Sequence, residues 1–139
     1  MYRPIAVLLC ALIAPVVCST PLPATGAFVF SSLCSGEEDA GGDKVVLIRG
    51  PEGNSAVYWR TEGPILAPLL AFGPDVEIDD QHGTISMHFV DPDFPGDAGK
   101  YELKGSVTAE ELKLSSNVAG DIHLPRRLRE DGKLPKCGH

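Results

Sequence analysis

The sequence predicts an all-β domain, and three observations carry that prediction. Short runs rich in β-branched and aromatic residues recur at short, regular spacing: Lys44–Arg49 (K-V-V-L-I-R), Ala56–Thr61 (A-V-Y-W-R-T) and Gly83–Val90 (G-T-I-S-M-H-F-V). Turn signals separate them, among them Gly50-Pro51, Gly53-Asn54 and Gly63-Pro64, in a chain with 15 glycines and 12 prolines. No stretch combines a helical apolar period with caps. At 139 residues the chain suffices for one domain. Many short strands at this spacing suit a two-sheet sandwich or a small antiparallel β-barrel.

Each element has its own warrant. Arg3, the apolar run Ile5–Val17 and the small residues Cys18, Ser19 and Thr20 have the layout of a secretory signal peptide, assigned to residues 1–19. The run is too short to span a bilayer comfortably, and no later segment is a membrane candidate. The mature chain is therefore expected to be secreted, or periplasmic in a bacterium. Residues 20–43 hold a proline-rich lead-in, a strand at Phe28–Leu33 and an acidic, glycine-rich loop at Ser35–Asp43. Lys44–Arg49 is apolar at both alternations, which predicts a strand covered on both faces. Ala56–Thr61 follows. Ile65–Phe72 is ambiguous, with Pro68 favouring an irregular edge. Val76–Asp79 reads as a short strand. In Gly83–Val90, Ile85, Met87 and Phe89 share one face and His88 lies on the other. Lys100–Val107 and Glu111–Ser116 form a hairpin across Thr108-Ala109-Glu110, with Tyr101, Leu103, Val107, Leu112 and Leu114 inward. The segment 118–139 is a basic carboxyl extension that either folds back or forms a tail.

Removing the leader also removes Cys10 and Cys18. Cys34 and Cys137 remain, and an even pair in an oxidising compartment predicts a disulfide.

The net charge of -7 argues against nucleic acid or an anionic membrane as partner. The four histidines fall in no H-E-x-x-H pattern, and G-x-S-x-G is absent. The acidic clusters Glu37-Glu38-Asp39-Asp43, Asp79-Asp80 and Asp91/Asp93/Asp97 lack the twelve-residue calcium-loop spacing and read as solvated loops. Catalytic chemistry, a cofactor and a metal are therefore not expected.

One stretch is more specific. Asp97-Ala98-Gly99-Lys100-Tyr101-Glu102-Leu103 resembles the immunoglobulin-domain signature D-x-G-x-Y-x-C, with Leu103 at the cysteine position. Trp59 stands where such domains carry a strand C tryptophan, and Ile48 stands at the strand B cysteine position. The resemblance covers residues 44–117 and is to immunoglobulin-like domains of the intermediate-set type, without their core disulfide. It implies a two-sheet sandwich with Trp59 between Ile48 and Leu103. Gly99 would shape the E–F corner, Asp97 would accept hydrogen bonds from backbone amides there, and Tyr101 would form the tyrosine corner. Tyr58 and Arg60 would then point outward from strand C, and Glu102 and Lys104 from strand F. These four residues are the partner surface that the resemblance implies.

The function expected on this reading is recognition of another extracellular protein, of adhesion or receptor–ligand type. The alternative is a secreted or periplasmic inhibitor or immunity-type protein whose acidic surface blocks a basic enzyme. A barrel that carries a lipid or other small ligand also fits the strand pattern, without a specific motif.

Overall fold

A computed structural model describes residues 19–36, 40–63, 68–128 and 133–138. Residues 1–18, on which the expected signal peptide falls, the acidic stretch 37–39, the segment 64–67, and residues 129–132 and 139 of the basic extension lie outside the described residues.

The described residues form ten strands: β1 (Gly26–Ser31), β2 (Cys34–Ser35), β3 (Ala40–Gly50), β4 (Gly53–Gly63), β5 (Leu69–Phe72), β6 (Val76–Asp79), β7 (Thr84–Val90), β8 (Lys100–Val107), β9 (Glu111–Ser116) and β10 (Gly120–Arg127). All form one antiparallel sheet in the order β5-β4-β3-β1-β10-β9-β8-β7-β6, with β2 paired to β3. Neighbours in this order are almost all neighbours in sequence, so the path is a meander. Its first and last strands in sequence meet because β10 pairs with β1, at Val29–Arg127 and Phe30–Arg126. The two path ends, β5 and β6, are joined by a single 3-10 turn, Gly73–Asp75. Each is antiparallel to its own neighbour, so β5 and β6 form one broken pass that leaves β4 and joins β7. The result is a nearly closed barrel of eight passes, a size whose interior side chains can fill. The meander order differs from the Greek-key connections that the immunoglobulin resemblance implies.

Alternation along each strand builds the interior. One inner row is Phe28, Leu47, Ala56 and Ala71, and the next is Phe30, Val45, Tyr58 and Leu69, each aligned by the ladders of β1, β3, β4 and β5. The other half contributes Ile85, Met87, Phe89, Leu103, Val107, Leu112, Leu114, Ile122 and Leu124, all buried. The two halves meet inside, where the Tyr58 and Phe89 ring centroids are 5.7 Å apart. Burying such side chains contributes roughly 1.5–3 kcal/mol each and is the main stabilising term.

Two glycines sit where any side chain would collide. A Cβ at Gly105 would lie 1.8 Å from the Lys113 carbonyl oxygen, and one at Gly99 would lie 2.0 Å from that of Phe94. Gly105 lets β8 approach β9 closely. Gly99 lets the turn before β8 close on the 91–94 loop, where the Asp91 amide donates to the Gly99 carbonyl at 2.8 Å. Gly99 thus serves its turn by close approach.

The lead-in closes one end of the barrel. Leu22 is buried, and the Ala109 amide donates to the Thr20 carbonyl at 2.9 Å. Arg49 occupies an inward position of β3, with its side chain 6% exposed. Its guanidinium donates to the carbonyls of Leu22 (3.1 Å) and Pro23 (2.9 Å) and to the Asp80 carboxylate (2.8 Å). On the closing strand, the Arg126 guanidinium lies over the Phe28 and Phe30 rings, 4.7 and 5.7 Å from their centroids.

Cys34 and Cys137 are joined as a disulfide with their Cα atoms 4.9 Å apart. The carboxyl segment reaches β2 through a parallel bridge between Ser35 and Lys136. It is held there by hydrogen bonds from the Ser35 amide to the Pro135 carbonyl (2.7 Å) and from the Cys137 amide to the Ser35 carbonyl (3.1 Å). The first part of the basic extension is not a tail, because Gly120–Arg127 is the strand that closes the barrel.

Candidate functional site: an uncovered apolar face

The strand C alternation is the reverse of the one expected. Tyr58 points inward and is fully buried, and its hydroxyl donates to the Asp43 carboxylate at 2.7 Å. Burial first, and that hydrogen bond second, hold its pKa far above the ordinary tyrosine value. Arg60, on the same alternation, is half-buried at the position paired with Asp43. Tyr58 and Arg60 are therefore not an outward partner surface. Trp59 points outward and is half-buried, with the Lys44 ammonium 5.2 Å from its ring centroid. Ile48 is likewise outward, because Leu47 takes the inner place beside Phe28 and Ala56. Trp59 thus does not sit between Ile48 and Leu103; of the three, Leu103 alone is in the core.

The remaining signature residues divide. Tyr101 is half-buried and packs against the core. Asp97 is exposed, and its carboxylate accepts from the Lys100 ammonium at 2.8 Å instead of from turn amides. Glu102 and Lys104 do point outward and pair with each other, and His88 lies 3.4 Å from Glu102 on the neighbouring strand. The hydrogen bond from Lys104 is the largest cause holding the Glu102 pKa below its ordinary value. Glu111 is lowered in the same way, by Lys113 first and then by His123, whose ring nitrogen is 2.7 Å away.

These ion pairs belong to an outer surface of one character. Across β7–β10 the outward residues include Thr84, Ser86, Lys104, Ser106, Lys113, Ser115, Asp121 and His123. A shallow concavity of about 640 Å³ lies there over Gly105. This is an ordinary solvated sheet face, with Lys104, Glu102, Lys113, Glu111 and His123 paired across it.

The outer face of β1, β3, β4 and β5 is built differently. One row across the ladders is Ala27, Ile48, Ser55 and Phe72. The next is Val29, Val46, Val57 and Leu70, and Trp59 stands in the row beyond. Phe72 is 61% exposed, Leu70 51% and Ile48 46%. The continuous run K-V-V-L-I-R thus has an apolar set on each alternation, and the described residues cover only the inner set. Isolated exposed apolar residues are ordinary, whereas contiguous rows of them mark an interaction surface. The signal for this face was the doubly apolar run, together with Leu70 and Phe72 in a segment whose edge character was legible.

Among the described residues no group of three or more His, Cys, Asp or Glu side chains is placed to hold a metal, and no helix is long and apolar enough to cross a membrane. No family model, curated protein or solved structure matches the chain.

Proposed function

We propose that this chain is a secreted recognition module that binds protein through the outer face of β1, β3, β4 and β5. One observation carries the reading: Ile48, Leu70 and Phe72 stand exposed in two neighbouring rows that are apolar except for Ser55, while the opposite side carries mostly polar side chains and several ion pairs. Covering aromatic and branched aliphatic side chains is the main source of protein–protein affinity, and Trp59 supplies the residue type most enriched at binding hot spots. The Cys34–Cys137 disulfide is compatible with an oxidising compartment. The interior supports this reading over ligand transport, because aromatic and aliphatic side chains from opposite walls meet inside it.

The test is capture from the native extracellular fluid by the wild-type chain, by Leu70→Glu and by Lys104→Glu. Loss of the captured protein with Leu70→Glu and retention with Lys104→Glu is the expected pattern. Equal capture by all three chains would rule the face out.

A further inference from the structure

Three acidic side chains gather at one end of the apolar face. Glu52 lies in the β3–β4 turn, Asp75 in the 3-10 turn that follows Phe72, and Glu77 on β6, and all three are exposed. The two turns adjoin. The Asn54 side-chain amide donates to the Val76 carbonyl at 3.3 Å, and a Cβ at Gly53 would lie 3.9 Å from the Gly73 Cα. This end also borders the exposed apolar residues, because Phe72 directly precedes Gly73 and Ile48 stands close to the Gly50–Gly53 pair. Among the described residues none of the three acids makes an ion pair. Their neighbours differ: Asp79 holds His82 at 2.7 Å and Asp80 holds Arg49 at 2.8 Å. Lys44 and Arg127 lie away from this end, Lys44 over the Trp59 ring and Arg127 on the Ser31 carbonyl.

We infer that the partner of this face is a basic protein, one whose apolar contact surface is edged with lysine or arginine where it meets Glu52, Asp75 and Glu77. The inference rests on the reading of the face as a recognition surface and names the partner's chemistry. Like charges gathered at one rim repel an acidic partner and draw a basic one, steering it before contact is made. The polar face differs, because its carboxylates Glu102 and Glu111 already hold lysines. The chain as a whole adds to the pull, with 19 acidic residues against 12 basic ones. The two parts of the surface then divide the work. Covering Leu70 and Phe72 supplies affinity through burial, and the three acids select which protein docks.

Selection of a displayed library of random peptides on the purified chain tests it. The enriched peptides should combine apolar residues with lysine or arginine. One of them, synthesised and titrated, should bind at least tenfold more weakly to Leu70→Glu and to the combined Glu52→Lys/Asp75→Lys/Glu77→Lys chain, both with the far-UV spectrum and melting temperature of the wild type. Its binding to the wild type should weaken as salt is added. Selection repeated on the combined variant should favour aspartate and glutamate instead. Apolar peptides that depend on Leu70 but carry no basic bias would overturn the basic partner and leave the recognition reading standing. Peptides indifferent to Leu70→Glu, or no enrichment at all, would overturn both. A dimer in sedimentation equilibrium that is broken by Leu70→Glu and excludes the peptide would also overturn the inference, by putting a second copy in the partner's place.

Discussion

Cleaving the Cys34–Cys137 bond should be the most damaging single chemical change to this domain. The two cysteines are 103 positions apart. In the chain-entropy treatment, a closed loop of that length removes about 4.7 kcal/mol of disorder from the unfolded ensemble. The native state offers little to offset its loss. Among the described residues, Cys34 sits in a two-residue strand paired with the start of β3, and the carboxyl segment is attached to that strand through the Ser35–Lys136 bridge and hydrogen bonds of Ser35 beside the disulfide. For a domain of this size each kcal/mol moves the melting temperature by about 4 °C, so a fall of roughly 15–20 °C is expected. Thermal unfolding followed by circular dichroism, with and without reductant and repeated on a Cys34→Ser/Cys137→Ser chain, measures it. A melting temperature unchanged in both would refute the reasoning, because it would mean that the staple constrains nothing the barrel does not already hold.

Other outcomes follow from the same structure. Arg49→Met should cost about 2–3 kcal/mol in denaturant unfolding, since it strands the Leu22 and Pro23 carbonyls at the closed end of the barrel; a change below 0.5 kcal/mol in the measured stability would contradict the latch. Gly105→Ala should unfold or severely destabilise the chain, because its Cβ would meet the Lys113 carbonyl, and a normally folded variant by proton NMR would contradict the close approach. Tyr58 gives a pH dependence with a definite sign. Its folded pKa lies above the ordinary 10.0, so its contribution is fully present below pH 10.0 and is lost as pH rises above it, where the unfolded tyrosine ionises and the folded one does not. Unfolding midpoints measured through that range should fall for the wild type and fall less for Tyr58→Phe.

Local pattern made the second half of the barrel legible. Val76–Asp79, Lys100–Val107 and Glu111–Ser116 end where the turn residues and alternation place their ends. Ile85, Met87 and Phe89 face inward because only one alternation of that strand is apolar. β3 and β4 lacked this asymmetry. Leu47 and Ile48 are equally good core residues, as are Tyr58 and Trp59, so local chemistry left the register open, and the resemblance to an immunoglobulin strand pair chose Trp59. The interior chose Tyr58, whose hydroxyl reaches Asp43 while its ring meets Phe89. β10 carried its own signal in the alternation of Ile122 and Leu124, but Pro125 and the following arginines masked it. Its pairing with β1 joins positions nearly a hundred residues apart, which local propensity does not specify. The candidate face was hidden for a related reason: an apolar run reads as buried on both sides, and only the arrangement of neighbouring strands shows that no described residue covers one side.

That uncovered side is the central claim, and photo-crosslinking tests it most directly. A photoreactive phenylalanine analogue is placed at Leu70, on the apolar face, or at Ser115, on the polar one, and each chain is irradiated in cell extract and in extracellular fluid from the source organism. The account predicts a discrete covalent adduct with a protein, whether another copy or a different chain, from position 70 and none from position 115. Adducts from position 115 alone would contradict it.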